Sequence, residues 1–369
     1  MKKIAAVVLA AIILLLCFTS CSPNTQKIKD GDSVIGIIAP KDSEEYDEAL
    51  RIQEKYGAEK VVVETFDSGR TNTTSFIYEA ADRILTNPNV KSIIFAKGVE
   101  GTVDAVKAIK AAKPYVECID VNPSEVEYYV SLTADLAVSL GDDETCASMV
   151  SQAKKAGMKT VVYLIPDKYV NNKSIVSTGE SLKAACDEKK VEYVEHIYQT
   201  RINTIEYLQS VAKGAVVSCV EKYGKDTAFY SPSCIISDTV IKTAAENGAG
   251  YIYNICNCPE HHYKTAFGVE AGDSYSQMLD NVREAAGKDV CKRLCVMESS
   301  PVSVMLKIAM GYAVAYCNGS IDADASFSED VFSSAIKTAL SGEDVDDIEF
   351  SVSEEYANIV NVGFPVDTL

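Results

Sequence analysis

The stretch VIGIIAP (34–40) opens a series in which short, β-rich apolar runs alternate with amphipathic segments. The next runs of this series are KVVVETF (60–66) and VKSIIFA (90–96). Runs that are apolar at nearly every position are typical of strands buried on both faces of a sheet, and their alternation with helical segments is typical of parallel βαβ units. This region therefore predicts an α/β fold with a parallel sheet covered by helices.

The same alternation extends to both sides of Asp135 and divides into two series. In the first, further strands are predicted at YVECID (115–120) and EYYVSLT (127–133), and helices from about Ser43 to Gly57, near 74–87 and near 102–112. In the second, strands are predicted at 160–166, 191–197, 227–233, 250–255 and 265–270, and helices around 142–156, 173–188, 203–222 and 235–247. Two Rossmann-like lobes in tandem, with a ligand cleft between them, follow from this repetition.

An apolar helix predicted at about 301–317 follows the second series, and we expect it to return to the first lobe. We expect the chain after it to finish the second lobe. The predicted divisions are a signal peptide (1–20), a linker (21–32), an N-terminal lobe (33–137 plus 298–320) and a C-terminal lobe (138–297 plus 321–369). Hinge closure is predicted at the interlobe crossings near 135–138, 271–297 and 318–325.

Residues 1–21, MKKIAAVVLAAIILLLCFTSC, have the pattern of a bacterial lipoprotein signal peptide. Two lysines precede an apolar run, which ends at Ser20 and Cys21 and is followed by a polar stretch. We predict cleavage before Cys21 and lipidation of its thiol, which anchors the chain at the extracytoplasmic face of the cell membrane. Cys17 is the competing acceptor, although the bulky residue before it disfavours that choice. An uncleaved anchor is the alternative.

The charge balance excludes one class of partner. The chain has 53 acidic and 35 basic residues, with a formal net charge of −18. Nucleic-acid binding needs clustered lysine and arginine side chains, and the sequence contains no such cluster. We therefore expect no nucleic-acid partner.

The cysteines are predicted to be mostly reduced, although export normally favours disulfides. Cys118, Cys146, Cys186 and Cys219 fall inside apolar strand or helix patterns, where a thiol acts as a small hydrophobic group. A bridge between Cys291 and Cys295 within one helical turn is geometrically awkward.

Several stretches carry a resemblance to a known family. They are IIFAKGVEGTVDAVKAI (93–109), DETCASMVSQAKKAGMKTVVYLIPD (143–167), VEKYGKDTAFYSPSCIISDTVIKTAAENGA (220–249) and NICNCP (254–259). Together they resemble a family of bacterial lipoproteins with a domain of unknown function, DUF3798, whose members are similar to type 1 periplasmic substrate-binding proteins. The resemblance implies a type 1 periplasmic binding protein-like fold and an exported location, and brings no ligand or catalytic residue with it.

Ligand-binding residues are expected in the loops that follow the strands, because ligands of open α/β sheets bind outside the carboxyl ends of the strands. The candidates are Lys41, Arg70, Lys97, Glu100, Asp120, Asn122, Asp167, Tyr169, Tyr230, Ser231 and Asn254.

Roles are assigned to some of these candidates from their chemistry. Arg70 suits a carboxylate or a hydroxyl pair, and Lys97 and Asp167 suit further polar groups. Tyr169 and Tyr230 suit stacking on a ring or a sugar face. Backbone N–H groups at Ser68-Gly69 and from Gly98 to Gly101 precede helices and are predicted to be available to an anionic or hydroxyl-rich ligand. The alternative to a ligand-binding role is that each residue is simply a solvated charged residue in a loop or a partly buried tyrosine.

Metal, cofactor and enzyme chemistry have little support. The run Cys256-Asn257-Cys258-Pro259-Glu260-His261-His262 concentrates metal-ligand types, but its spacing does not match a CxxC turn, and we expect no metal. Neither a dinucleotide fingerprint nor a phosphate-binding GxxxxGK occurs, so we expect no cofactor. With three histidines and no GxSxG elbow, we expect no enzyme activity.

The resulting hypothesis is a membrane-anchored, extracytoplasmic solute-binding lipoprotein that captures a small polar ligand for uptake by a transporter. A permease complex with its ATPase is the implied partner. The alternative is a surface sensor or interaction lipoprotein that signals to a membrane receptor. The identity of the ligand stays open: a sugar, a nucleoside, an amino acid or a short peptide would each find partners among the candidates.

Overall fold

The structure, a computed structural model, describes residues 28, 31–67, 73–202, 204–252, 259–270, 272, 275–297, 299–321, 327–341 and 348–369. This part of the chain forms two α/β lobes, each built around a sheet whose strands are mainly parallel. The α/β class and the two parallel sheets predicted from the sequence are confirmed. No helix within the described ranges is both long and apolar enough to cross a bilayer.

Thirteen strands, thirteen α-helices and one 3-10 helix (Asp167–Tyr169) are defined in the described ranges. The strands are β1 (Val34–Pro40), β2 (Val61–Phe66), β3 (Val90–Phe95), β4 (Glu117–Val121), β5 (Leu136–Leu140), β6 (Thr160–Pro166), β7 (Glu192–Tyr198), β8 (Thr227–Tyr230), β9 (Gly250–Tyr251), β10 (Cys295–Met297), β11 (Glu349–Val352), β12 (Ile359–Gly363) and β13 (Val366–Thr368). The helices are α1 (Glu44–Tyr56), α2 (Thr73–Leu85), α3 (Thr102–Ala112), α4 (Glu127–Ser131), α5 (Asp142–Lys155), α6 (Lys173–Lys189), α7 (Ile205–Tyr223), α8 (Cys234–Glu246), α9 (Pro259–Phe267), α10 (Tyr275–Ala286), α11 (Lys288–Cys291), α12 (Pro301–Cys317) and α13 (Glu329–Ala339).

The first lobe contains a seven-stranded sheet in the order β11-β12-β5-β4-β3-β1-β2. All seven residues of β1 are buried, as expected for a strand with helices on both faces. At Gly36, a Cβ atom would lie 2.6 Å from Ile84 Cγ2, so the absence of a side chain allows α2 to pack closely on β1. Helix α1 is capped at its N-terminus by Ser43, whose Oγ accepts a hydrogen bond from Tyr46 N.

Helix α12 lies on the same sheet and is buried on nearly all sides. It packs against β1, β3, β4 and β5 and between α1 and α13. A helix that is apolar around its whole circumference needs such a central position, because any exposed face would leave hydrocarbon in water. The sequence analysis assigned this helix to the first lobe on the same grounds.

The second lobe contains a four-stranded parallel sheet in the order β7-β6-β8-β9. A parallel bridge from Tyr251 to Leu294 brings β10 beside β9, and β13 pairs antiparallel with β10. Helices α5, α6, α7 and α8 cover this sheet, with α5 against α6 and α7 against α8.

The chain crosses between the lobes three times. It leaves β5 at Gly141 and enters α5, passes from β10 to α12 through residues 298–300, and passes from β12 to β13 through 364–365. Each crossing leaves the carboxyl end of a strand. The carboxyl edges of the two sheets therefore face the same junction between the lobes.

Two predicted strands are helices. Residues 127–133 contain α4, and the strand of this region is β5. Leu136, Ala137 and Val138 are fully buried between β4 and β12, whereas Tyr128 and Tyr129 are about half exposed, so the alternation of polar and apolar residues in EYYVSLT did not mark a strand. The other case, 265–270, overlaps α9, in which Tyr263 and Ala266 are buried one turn apart.

The assignment of 321–369 to the second lobe was wrong for most of this segment. Helix α13 packs on α12, and β12 extends the first sheet by pairing in parallel with β5, while β11 forms an antiparallel edge strand on β12. Only β13 joins the second lobe. Because β12 pairs with the edge of β5 in the first sheet, the third crossing lies at 364–365 and not near 318–325.

The seven cysteines of the described ranges are buried: Cys118, Cys146, Cys186, Cys219, Cys291, Cys295 and Cys317. No disulfide joins two of them. Burial raises the pKa of the Cys186 thiol to about 12. These thiols act as small apolar groups, as the sequence predicted.

Candidate ligand-binding cleft

The predicted site residues that the structure describes lie at the carboxyl edges of the two sheets. Three further predicted residues lie outside the described residues. At the carboxyl edge of the first sheet lie Lys41, Lys97, Glu100, Asp120 and Asn122, and at that of the second lie Asp167, Tyr169, Tyr230 and Ser231. Arg70, Asn254 and the lipidation residue Cys21 lie outside the described residues. Ligand contact by any of the candidates stays a prediction.

Asp120 is the most unusual of these residues. It lies near the carboxyl end of β4, it is 2 % exposed, and its Oδ1 has no hydrogen-bond partner among the described residues. Burial raises the pKa of Asp120 well above its usual range, and the nearby charge of Glu125 adds to this effect. A buried carboxyl oxygen without a partner costs free energy that a donor from a ligand would recover.

A second buried polar atom without a partner lies in a crossing between the lobes. Ser299, which is 6 % exposed, follows β10, and its Oγ has no hydrogen-bond partner in the part of the chain that the structure describes. A hydroxyl both donates and accepts, whereas the Asp120 oxygen accepts. The two atoms offer complementary hydrogen bonds at the junction of the lobes.

Gly98 lies against Asp120. A Cβ atom at Gly98 would be 2.3 Å from Asp120 Oδ1 and 2.6 Å from Pro123 Cα, so only glycine fits here. The loop is held by hydrogen bonds from Gly98 N to Val121 O and from Ser124 N to Gly98 O. The Gly98 loop therefore covers the carboxyl group.

The backbone N–H groups before α3 are already bonded, which corrects the prediction that they would be available to a ligand. Gly101 N and Val103 N donate to the two carboxylate oxygens of Glu125, at 3.1 and 2.7 Å, and Val99 N donates to Thr102 Oγ1. The protein's own carboxylate thus occupies the positive end of the helix. The corresponding loop at Ser68-Gly69 lies outside the described residues.

Lys97 forms an ion pair within its own lobe. Its Nζ lies 3.0 Å from Oε1 of Glu45, a residue of the first turn of α1 that is 4 % exposed. Lys41 and Glu100 are exposed, and Asn122 adopts a left-handed backbone conformation with φ of 48°. Among the described residues, this edge therefore presents Lys41 and Glu100 as exposed charges and holds Lys97 in an ion pair.

On the second lobe, two predicted ligand contacts have structural partners instead. Asp167 accepts hydrogen bonds from the backbone N and Oγ1 of Thr200, and these bonds lower the pKa of its carboxyl group. The ring of Tyr230 is 2 % exposed and packs edge-on against Tyr163, with 5.3 Å between ring centroids. Stacking of Tyr230 on a ligand does not fit this position. Ser231 is fully buried, and its Oγ accepts from Ser233 N.

The sequence analysis missed a set of exposed apolar side chains on the second lobe. They follow the carboxyl ends of β6, β7 and β8 or lie near them. We call this set the apolar rim: Tyr169, Val176, Ile197, Ile202, Ile205 and Ile235. Only Tyr169 was predicted. A sequence signal for the apolar rim was present, because Ile202 and Ile205 lie within the otherwise polar connection QTRINTIEY (199–207).

A cavity of about 300 Å³ lies elsewhere, on the outer face of the first lobe between α1, α12 and α13. Helical residues such as Arg51, Lys307 and Thr338 line it, and Arg51 is paired with Glu48 at 2.7 Å. No strand end contributes to this cavity. The unpartnered oxygens of Asp120 and Ser299 lie at the junction of the lobes and not in this cavity.

No cluster of three or more metal-ligating side chains occurs within the described ranges. Residues 256–258 of the Cys256–His262 run lie outside them, and His262 is buried in α9. The expectation that the chain binds no metal therefore stays a prediction.

A sequence profile described as a protein of unknown function, DUF3798, matches residues 34–294. The chain belongs to the DUF3798 family. The resemblance noted in the sequence is thereby confirmed. No curated protein matches this DUF3798 chain at a significant level.

Solved structures show the fold that this DUF3798 chain shares. A putative transcriptional regulator from Clostridium difficile has a TM-score of 0.76 at 17 % identity, covering 92 % of this chain and 99 % of that one. A sugar ABC transporter protein from Actinomyces odontolyticus has a TM-score of 0.53 at 10 % identity over 78 % and 84 % of the chains. A substrate-binding protein of a sugar ABC transport system from Bordetella parapertussis has a TM-score of 0.51 at 10 % identity over 95 % and 92 %. The fold is therefore that of type 1 periplasmic binding proteins.

Proposed function

We propose that this protein is an extracytoplasmic solute-binding lipoprotein that closes its two lobes on a small ligand. The lipid on Cys21 anchors it to the cell membrane, and a permease with its ATPase receives the ligand. It performs no chemistry on that ligand. The fold is shared with solute-binding proteins of transporters and also with regulators, so the fold by itself does not select between them.

The observation that carries the proposal is the pair of unpartnered polar atoms at the junction of the lobes. Asp120 Oδ1 accepts, and Ser299 Oγ donates or accepts. One belongs to the first lobe and the other to a crossing. A ligand that bonds to both stabilises one relative position of the lobes, which is what hinge closure requires.

The test uses the soluble chain that starts at Ser22, without Cys21. Sugars, nucleosides and amino acids are screened by thermal shift, and small-angle scattering is recorded with and without each hit. A ligand present at a hundred times its dissociation constant stabilises by about 2.7 kcal/mol, which raises the melting temperature measurably. A stabilising ligand that also reduces the radius of gyration supports the proposal. No stabilisation and no change in scattering across all classes would refute it.

The location is tested separately. Full-length protein expressed in a bacterium is expected to fractionate with the membrane and to incorporate labelled palmitate. Cys21→Ser removes the lipid acceptor and is expected to abolish the label, whereas Cys17→Ser leaves it in place. Loss of label in Cys17→Ser alone would contradict the assignment of Cys21.

A further inference from the structure

The apolar rim of the second lobe has no counterpart elsewhere in that lobe. Its six side chains are between 37 % and 58 % exposed, although valine, isoleucine and tyrosine are costly to leave in water in such a group. Val176, Ile205 and Ile235 lie in the first turns of α6, α7 and α8. Since those helices all begin at the carboxyl edge of the sheet, the three side chains share one edge.

The distribution is one-sided. Among the described residues of the second lobe, every large apolar side chain that is exposed belongs to this rim, and none lies at the amino ends of β6 to β9. Scattered apolar residues on a protein surface need no explanation, but a set confined to the edge that faces the other lobe does.

The edge opposite the apolar rim is mainly polar in its described residues. The carboxyl edge of the first sheet has the exposed charges of Lys41 and Glu100, the side chain of Asn122 and the buried carboxyl of Asp120, and its Lys97 is paired with Glu45. The unpartnered oxygen of Asp120 accepts a hydrogen bond. Val126, at the start of α4, is exposed as well. The described part of the cleft thus has a mainly polar wall and an apolar wall.

We propose that the ligand of this cleft is amphipathic, with a donor group, ammonium or hydroxyl, that bonds to Asp120 and an apolar body that covers the apolar rim. This inference rests on the proposed function and adds the chemical class of the ligand. Burial of the apolar body on the second lobe supplies hydrophobic free energy, and the donor group satisfies the buried carboxyl oxygen.

A sugar fits this pair of walls poorly. Its hydroxyl groups surround the edge of the ring, so a sugar needs hydrogen-bond partners around its circumference, and the side chains of the apolar rim supply none apart from the Tyr169 hydroxyl. A hydroxyl-rich ligand needs polar side chains on both lobes, whereas the second lobe has its predicted acid, Asp167, already bonded to Thr200. The cleft therefore favours one polar end and one hydrocarbon end.

Tryptamine and tryptophol are suitable probes because they share an indole body and differ in the donor, an ammonium or a hydroxyl group. The chain contains no tryptophan, so indole emission reports the probe without protein background. Each probe is titrated with the soluble chain from Ser22, and the emission maximum is recorded. A saturable shift to shorter wavelength is expected as the indole enters an apolar site. Glucose and lactose are tested as competitors and by thermal shift.

Two variants identify the surface that the indole contacts. Ile202→Ser and Ile205→Ser are each expected to weaken probe binding about tenfold. Leu132→Ser is the matched control, because Leu132 is 65 % exposed on the first lobe and lies outside the apolar rim. Since all three side chains are exposed, the melting temperatures of the variants without ligand are expected to stay close to that of the parent chain.

Each alternative outcome has a distinct meaning. If glucose or lactose stabilises the chain and neither indole probe binds, the amphipathic assignment is wrong and the solute-binding function stands. If Ile202→Ser and Ile205→Ser leave probe affinity unchanged, or change the particle mass in light scattering instead, the rim contacts a second copy or the first lobe and the assignment is also wrong. If neither class binds and scattering shows no closure, the solute-binding function fails as well.

Discussion

The two lobes differ in their buried acids and in where they expose apolar side chains. Among the described residues, every buried acid belongs to the first lobe: Glu45, Glu48, Glu117 and Asp120. The second lobe buries no acid in the same range but exposes the apolar rim. Both choices cost stability, since buried carboxyls lose hydration and exposed hydrocarbon orders water. Costs of this kind are typical of binding surfaces, where a ligand recovers them.

The buried acids of the first lobe differ in how they are satisfied. Glu48 is paired with Arg51, Glu45 with Lys97, and Glu117 accepts a hydrogen bond from Ser92 at 2.8 Å. Asp120 has an oxygen without a partner, and it is the one of the four that ends a strand at the cleft. Asp120 therefore differs from the other three buried acids, whose carboxyl groups have partners within the fold.

Asp120→Asn is expected to produce the largest effect, because it removes the ionisable carboxyl group and replaces one of its oxygen atoms, an acceptor, with an amide NH2 group, a donor. Affinity for the best ligand of the screen is expected to fall about a hundredfold, or about 3 kcal/mol, by isothermal titration calorimetry. The matched control is Glu117→Gln, which removes a buried carboxyl from the amino end of the same strand and is expected to change affinity less than twofold. Equal losses of affinity in the two variants would mean that any change to a buried acid of β4 weakens binding, and that Asp120 does not contact the ligand.

Glu117→Gln is expected to change the pH dependence of stability. Burial raises the pKa of Glu117 to about 8 in the folded chain, partly offset by the Ser92 hydrogen bond. A raised pKa means that the folded state holds the proton more tightly than the unfolded state, so this contribution is full below the usual pKa and is lost as pH rises towards 8.

Glutamine keeps a partner for Ser92 and carries no charge. The melting temperature of Glu117→Gln is therefore expected to exceed that of the parent by several degrees at pH 8, with the difference disappearing near pH 4. A constant difference across this range would show that Glu117 does not titrate there.

Gly98→Ala tests the close approach over Asp120. The added Cβ would meet both Asp120 and the backbone of Pro123, and the resulting shift of the loop is expected to cost about 2 kcal/mol in the free energy of unfolding by urea denaturation. Gly214→Ala is the control, because nothing lies within 4 Å of its Cβ position in α7 and alanine favours a helix. Unchanged stability in Gly98→Ala would mean that the loop moves without cost.

Glu125→Ala is expected to have the smallest effect. It removes the carboxylate that accepts from Gly101 N and Val103 N, and loss of such a cap costs about 1 kcal/mol. The variant also exposes the N–H groups of α3, so inorganic phosphate is expected to stabilise it more than it stabilises the parent in a thermal shift assay. Equal stabilisation of both proteins would contradict the view that Glu125 fills an anion site.

Local sequence patterns were sufficient to predict most helices and strands. They were insufficient for two predicted strands and for side-chain partners that are distant in sequence. The helix from Ser43 to Gly57 was predicted with both ends, since a capping serine and a glycine with positive φ are local signals. The strand predicted at 127–133 was wrong because alternation in EYYVSLT depends on which face is covered. Partners such as Thr200 for Asp167 and Glu125 for the α3 terminus are distant in sequence from the groups they satisfy, and no local pattern records them.

The sequence by itself determined the α/β class, the two series of elements, the family and the buried reduced cysteines of the described ranges. These follow from periodicity and composition, which act over a few residues. Only the tertiary structure decided that β11 and β12 complete the first sheet, that the third crossing lies at 364–365, and that Asp120 is buried beneath the Gly98 loop with an unpartnered oxygen while the apolar rim stays exposed. Those features depend on which surfaces remain uncovered after all the elements have packed, and that is settled by contacts between residues far apart in the chain.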